Sequence, residues 1–301
     1  MNVPDTLNAS HDAYRSIAVT PLGPALGADI DAGDLRQLGD AAFIEIKRAW
    51  LAHHVIRFRN QSFDNADMVA FGRRFGAFQP NLVKAGRDDA HPQVSFISNV
   101  VQGHRPLGML GDGELVWHTD QSSFEITPSA TILYAVEAPA GQGFTEFLNA
   151  ELAYRSLPEP LRRRLEHLRI KHDDTYDSAG QRRAGYAEVT DVRSSPGAIH
   201  PFVVTHPETG RNALYLGRRP HAYVMGLSVE ESEALLDEVW ELAIQPQFVW
   251  RQEWLPGDLL VWDNRTVMHR RTPFDPKARR LLRRVVIEGG KPRYVSNLVP
   301  H

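Results

Sequence analysis

Apolar residues recur at helical spacing in three stretches of the chain. In residues 38–54, Phe43, Ile46, Trp50 and Leu51 share one face, the 3.6-residue period of a helix laid on a core. Residues 65–75 repeat the pattern with Met68, Phe71 and Phe75. Residues 228–243 carry it furthest: Ser228 and Glu231 form a capping box ahead of a stripe of Leu235, Leu236, Val239, Trp240 and Ala243. "ELAYRSLPEPLRRRLEHL" predicts two short helices broken at Pro158 and Pro160.

Elsewhere the pattern shortens to strands. "VIRF", "QVSFIS", "ATILYAV" (130–136) and "FTEFL" (144–148) read as strands. So do the C-terminal runs "QFVWRQEW", "GDLLVWDN", "TVMHRR" and "RRLLRRVVIEG". "PFVVTHPETGRNALYL" predicts a hairpin turning at "HPETGR". Residues 173–200 are polar and rich in Gly and Ser, a length that marks a functional loop in a compact domain. Strands run throughout, helices cluster early and in mid-chain, and no repeat interrupts them. The pattern predicts one mainly β (α+β) domain over residues 1–301 with helical decorations. Residues 1–15 read as a loose arm, and 103–114 and 173–200 are candidate lids.

Composition narrows the chemistry. The net charge of −3, from 34 basic and 37 acidic residues, favours no nucleic-acid partner and no acidic membrane surface. The N-terminal residues lack a signal-peptide core and no apolar run reaches membrane length, so a cytoplasmic protein is expected. There are no cysteines, which removes disulfides, thiolate nucleophiles and thiolate metal sites. Any metal must be held by His, Asp or Glu.

"VWHTD" (116–120) supplies such a pair. On a strand, His118 and Asp120 point to one side. His269, in "DNRTVMHRR", offers a third ligand. Two histidines and a carboxylate with open positions opposite is a donor set used for non-haem Fe(II). Zinc also accepts it, which leaves a zinc hydrolase open. In "RRLLRRVV", period two places Arg280, Leu282 and Arg284 on one face and Arg279, Leu281 and Arg283 on the other. Two inward arginines need anions, such as a dianionic co-substrate and an anionic substrate. The alternative is an edge strand with a solvated face.

"VWHTD", "GFTEF", "GDLLVWDNRTVMHRR" and "ARRLLRRVVIEG" together resemble the taurine dioxygenase and 2,4-dichlorophenoxyacetate dioxygenase family of Fe(II)/2-oxoglutarate oxygenases. The resemblance covers most of the chain and is closer to the aryloxyacetate branch. It implies a double-stranded β-helix, or jelly roll, and a homo-oligomer (dimer or tetramer). It implies Fe(II) on His118, Asp120 and His269, with Thr145 and Arg280 holding the distal carboxylate of 2-oxoglutarate. Arg284 then holds the anionic group of a small organic substrate. O2 and 2-oxoglutarate are consumed, succinate and CO2 are released, and a substrate C–H is hydroxylated. Desaturation, epimerisation or cyclisation on the same iron stay open, as does a non-catalytic anion-binding protein.

Three departures stand out. Gln121-Ser122-Ser123-Phe124 is one residue longer than the usual run, and Phe144 replaces an aspartate. Glu114 stands where the family has an asparagine that helps bind taurine, which argues against a sulfonate. Asn99 is a candidate for the substrate pocket, as are His200 and His206. Trp117, Trp262 and Phe248 are assigned to the core.

Overall fold

Along the strand Thr127–Glu137 side chains alternate between two environments. Leu133 and Ala135 join a cluster with Phe147, Trp262, Val267 and Leu282, while Ala130, Ile132 and Tyr134 join a cluster with Ile46, Trp50, Met68 and Phe71. A strand that is apolar on both faces is a central strand covered twice. The computed structural model describes residues 14–80, 88–109 and 111–296. The expected N-terminal arm therefore lies almost wholly outside the described residues.

Thr127–Glu137 is central to a seven-stranded, mostly antiparallel sheet. The order is Ala18–Pro21, Ala28–Asp31, Val55–Phe58, Leu259–Asp263, Thr127–Glu137, Leu281–Gly290, Ser95–Ser98. A four-stranded antiparallel sheet has the order Val249–Gln252, Thr145–Asn149, Val267–Arg271, Leu115–His118. The inward residues of both sheets meet in the cluster that contains Leu133, Phe147, Trp262 and Leu282.

Helices cover the outer faces. Asp40–His53 and Asn65–Arg73 pack Ile46, Trp50, Met68 and Phe71 toward the larger sheet. Ala150–Ser156, Glu159–Leu165 and Val229–Ala243 share a second cluster with Leu148 and Met268, the outward residues of the smaller sheet. The capping box of Ser228 and Glu231 forms as the sequence predicts, and Asp64 and Asp67 make another at Asn65–Arg73. The hairpin pairs Val203–Thr205 with Asn212–Leu214. Trp117 and Phe248 are core residues. The fold is mainly β with few helices, as the sequence pattern predicts.

Candidate metal centre and cavity

Strand parity delivers His269. Val267, His269 and Arg271 face inward from Val267–Arg271, while Met268 faces the outer helices. His118 is its direct partner in register on Leu115–His118. The ladder slips by one residue between the His118 and Leu115 pairings, so the His118 strand is bulged. Asp120 is not on that strand, which ends at His118. It sits in the following turn, where Gln121 has φ 49°. The expectation of two ligands on one strand is corrected: a strand end and a turn supply them.

The ligand atoms of His118, Asp120 and His269 all lie within 4.8 Å of one another. His118 Nδ1 is 2.7 Å from the carbonyl of Val116. That carbonyl only accepts, so Nδ1 carries the proton and Nε2 is left as a ligand. Both Nε2 atoms face Asp120 Oδ1, at 3.8 Å from His118 and 3.9 Å from His269. Burial lowers the pKa of both histidines, that of His269 to about 3. Burial pushes Asp120 upward, but its interactions with His269, Arg284 and His118 hold it below its ordinary value. Neutral imidazoles with an ionised carboxylate are the form that binds a divalent cation.

Neutral partners fix Asp120. Thr131 Oγ1 donates to Asp120 Oδ2 at 2.7 Å, Asn264 Nδ2 donates to Thr131 Oγ1 at 2.9 Å, and Trp262 Nε1 donates to Asn264 Oδ1 at 3.0 Å. Sequence reading missed Thr131 and Asn264. The inward parity that Thr131 shares with Leu133 was the available signal. Trp262 lines the cavity as well as the core.

The triad opens on a cavity of about 860 Å³ that also reaches Thr145, Arg271, Arg280 and Arg284. Arg280 is 2% exposed, and its Nε and Nη1 have no hydrogen-bond partner among the described residues. Burial, then the neighbouring charge of Arg271, pulls its pKa down to about 9. Trp254 Nε1 donates to Thr145 Oγ1 at 2.9 Å, which turns the Thr145 hydroxyl proton elsewhere. Arg284 Nη1 lies 3.9 Å from Asp120 Oδ1. On the opposite face Arg279 pairs with Glu137 at 2.7 Å, and Arg283 donates to the Phe63 carbonyl.

Two expected site residues lie elsewhere. Asn99 is absent from the cavity wall: its Nδ2 donates to the carbonyl of Ala278 at 2.8 Å and its Oδ1 accepts from Arg280 N at 3.0 Å. It pins the turn that leads into Arg280 instead of meeting substrate. Glu114 is also outside the cavity, with its side chain 58% exposed and 3.8 Å from Arg270 Nη1. The case against a sulfonate that rested on Glu114 lapses. His200 bonds the Phe124 carbonyl at 2.9 Å and His206 bonds Asp263 at 3.0 Å, and neither reaches the cavity.

The stretch 173–186 forms much of the far wall, through Asp174, Tyr176, Gln181, Arg183 and Tyr186. Arg218 ties its start, bonding Asp173 Oδ2 at 3.0 Å and the Tyr176 carbonyl at 2.5 Å. In the other candidate lid, Ser98 N bonds Met109 O and Met109 N bonds Phe96 O, both at 3.1 Å. A Cβ on Gly108 would stand 2.7 Å from the Phe96 carbonyl, so only glycine lets this stretch lie against the sheet edge.

The family model described as "Taurine catabolism dioxygenase TauD, TfdA family" matches residues 18–286. The chain belongs to the TauD/TfdA family. It is 34% identical over 288 residues to the alpha-ketoglutarate-dependent 2,4-dichlorophenoxyacetate dioxygenase of Cupriavidus pinatubonensis, covering 89% of this chain and 96% of that protein. It is 30% identical over 269 residues to an (S)-phenoxypropionate/alpha-ketoglutarate-dioxygenase of Sphingobium herbicidovorans, covering 88% of this chain and 92% of that one. A crystal structure of a taurine dioxygenase from Burkholderia xenovorans superposes with a TM-score of 0.77 at 32% identity, covering 92% and 91% of the two chains. As a TauD/TfdA member the chain is an enzyme that uses Fe(II), 2-oxoglutarate and O2. Its donor atoms fit that use: two imidazoles and a carboxylate for the metal, and a buried guanidinium with unpartnered nitrogens for a carboxylate.

Proposed function

We propose that this TauD/TfdA enzyme hydroxylates a C–H of a small organic anion, a carboxylate such as an aryloxyalkanoate or else a sulfonate. The observation that carries this reading is Arg284. Its guanidinium borders the cavity 3.9 Å from Asp120, so an anionic group paired with it is held beside the metal ligands. Two relatives named for aryloxyalkanoate substrates support the carboxylate class. Phe124, Tyr176 and Tyr186 along the wall provide flat apolar surface for an aryl group.

His118, Asp120 and His269 hold Fe(II), and Thr145 and Arg280 hold the far carboxylate of 2-oxoglutarate. Bound together, metal and co-substrate supply the oxidising chemistry: 2-oxoglutarate and O2 become succinate and CO2 as C–H becomes C–OH. The protein orients. Thr131 keeps one oxygen of Asp120 occupied and leaves the other to the metal. Trp254 aims the Thr145 hydroxyl, and Ile97, Leu115, Leu133 and Trp262 keep the walls dry. The candidate lids 103–114 and 173–200 close over the cavity, the second through its residues 173–186 that line the wall. The two facing antiparallel sheets are read as the halves of a jelly roll. A zinc hydrolase has no use for a cation buried as deeply as Arg280.

The test is anaerobic. Fe(II) and 2-oxoglutarate added to the metal-free protein should give the weak visible band of the chelate, and Asp120→Ala should abolish it. Aryloxyalkanoates and alkylsulfonates are then screened for those that perturb the band and yield succinate with a hydroxylated product in air. Succinate formed with an alkene or ring product moves the reading to desaturation or cyclisation. Substrate turnover that proceeds without 2-oxoglutarate overturns it.

A further inference from the structure

The inner end of the cavity holds a cation beyond the pair described above. Arg271 follows His269 by two positions on Val267–Arg271, so both side chains point inward. It is only 3% exposed and borders the same cavity as Thr145 and Arg280. In the ladder between Val267–Arg271 and Thr145–Asn149 its direct partner is Thr145. Such partners have Cβ atoms about 5 Å apart. The guanidinium carbons of Arg271 and Arg280 lie 5.3 and 5.8 Å from the centre of one ring, Phe274. Two residues of strand advance roughly 6.7 Å. That is close to the reach of a five-carbon diacid whose keto-acid end sits at the level of His269.

Burial disfavours the charge of both guanidinium groups, with Asp112 partly offsetting it at Arg271, and the charge of Arg271 bears on Arg280; an anion reaching both relieves this. One edge of Arg271 is engaged, with Nη2 donating to the Gly113 carbonyl at 2.5 Å. A guanidinium carries five donors on two edges, enough to serve a backbone carbonyl and a carboxylate together. We propose that Arg271 is a second anchor for the distal carboxylate of 2-oxoglutarate, received jointly with Arg280 and Thr145, and that it makes the site strict for a diacid. The proposal rests on the placement of the co-substrate at Thr145 and Arg280.

The experiment measures 2-oxoglutarate affinity in the anaerobic Fe(II) protein by the visible band and, independently, by quenching of tryptophan fluorescence near Thr145. Arg271→Gln should weaken 2-oxoglutarate binding roughly ten- to hundredfold, the worth of a charge-assisted hydrogen bond, and Arg271→Lys should recover part of it. Metal affinity should stay within about twofold, and the preference for 2-oxoglutarate over 2-oxopentanoate, which lacks the far carboxylate, should narrow. Arg280→Gln is the control. If it weakens binding while neither Arg271 variant does, Arg271 only straps Gly113 and the proposal falls. If Arg280→Gln also leaves affinity unchanged, the placement of the co-substrate itself is wrong.

Discussion

At the scale of residues, the site depends on neutral groups as much as on charged ones. Thr131→Val keeps the shape of a β-branched residue but leaves Asp120 Oδ2 without its donor. Metal affinity should fall roughly ten- to hundredfold, as for other partners of metal ligands, with little change in fold. Titration with Mn(II) followed by calorimetry measures it. Arg284→Gln should raise the KM for the organic anion more than tenfold, given the ~2–5 kcal/mol lost when one partner of a buried charge pair is removed. The affinity for 2-oxoglutarate should hold. Steady-state kinetics with each substrate varied separates the two.

Charge and spacing made the triad, Arg280 and Arg284 readable in the sequence. Thr131 and Trp254 carry no charge and stand in no motif, so only their inward position marks them. Glu114 was placed by its correspondence to the family's asparagine, and correspondence does not register a local bulge. The slipped register turns Leu115, not Glu114, toward the cavity. Arg271 was open to the same period-two counting that paired Arg280 with Arg284, on a strand that pairs evenly with Thr145–Asn149.

At the scale of elements, the helices were legible because caps and stripes are local. Ser228 accepts from Glu231 N as its spacing predicts, so Ser228→Ala should cost about 1 kcal/mol, read as a lower urea midpoint. Strand ends were less legible. Thr127–Glu137 starts ahead of the apolar run and includes Pro128, which lies where the register against Leu281–Gly290 shifts. Proline lacks a donor and survives in a sheet at such irregularities. Gly217 is a further tight point. It has φ 64°, and a Cβ there would stand 1.9 Å from His172 Nδ1 and 2.8 Å from Ser122 Oγ. Gly217→Ala combines backbone strain with a clash against a buried ring beside the Asp120 turn. A loss of roughly 2 kcal/mol or more is expected, measured by denaturant unfolding.

At the scale of the whole molecule, acid stability should follow a histidine remote from the cavity. His54 ends the helix Asp40–His53 and bonds Thr266 at 3.0 Å through Nδ1. Burial, then the charge of Arg211, lowers its pKa to about 3. It stays neutral in the folded protein while its unfolded counterpart takes up a proton near pH 6.5. Above pH 6.5 its contribution to stability is intact. As the pH falls toward 3 the unfolded state binds the proton, and stability drops by about 1.4 kcal/mol per pH unit. His54→Asn tolerates the φ of 65° at this position and does not titrate. It should flatten the slope of urea-unfolding free energy against pH across that window.

The cavity's two ends are built differently. Metal ligands and arginines stand on paired strands or the turns that join them, whereas the far wall is a surface stretch, 173–186, stitched by local bonds and Arg218. A lineage can therefore change its diet by rewriting one short passage while inheriting the oxidative machinery intact. Transplanting that passage between relatives should carry substrate preference with it and leave succinate chemistry untouched.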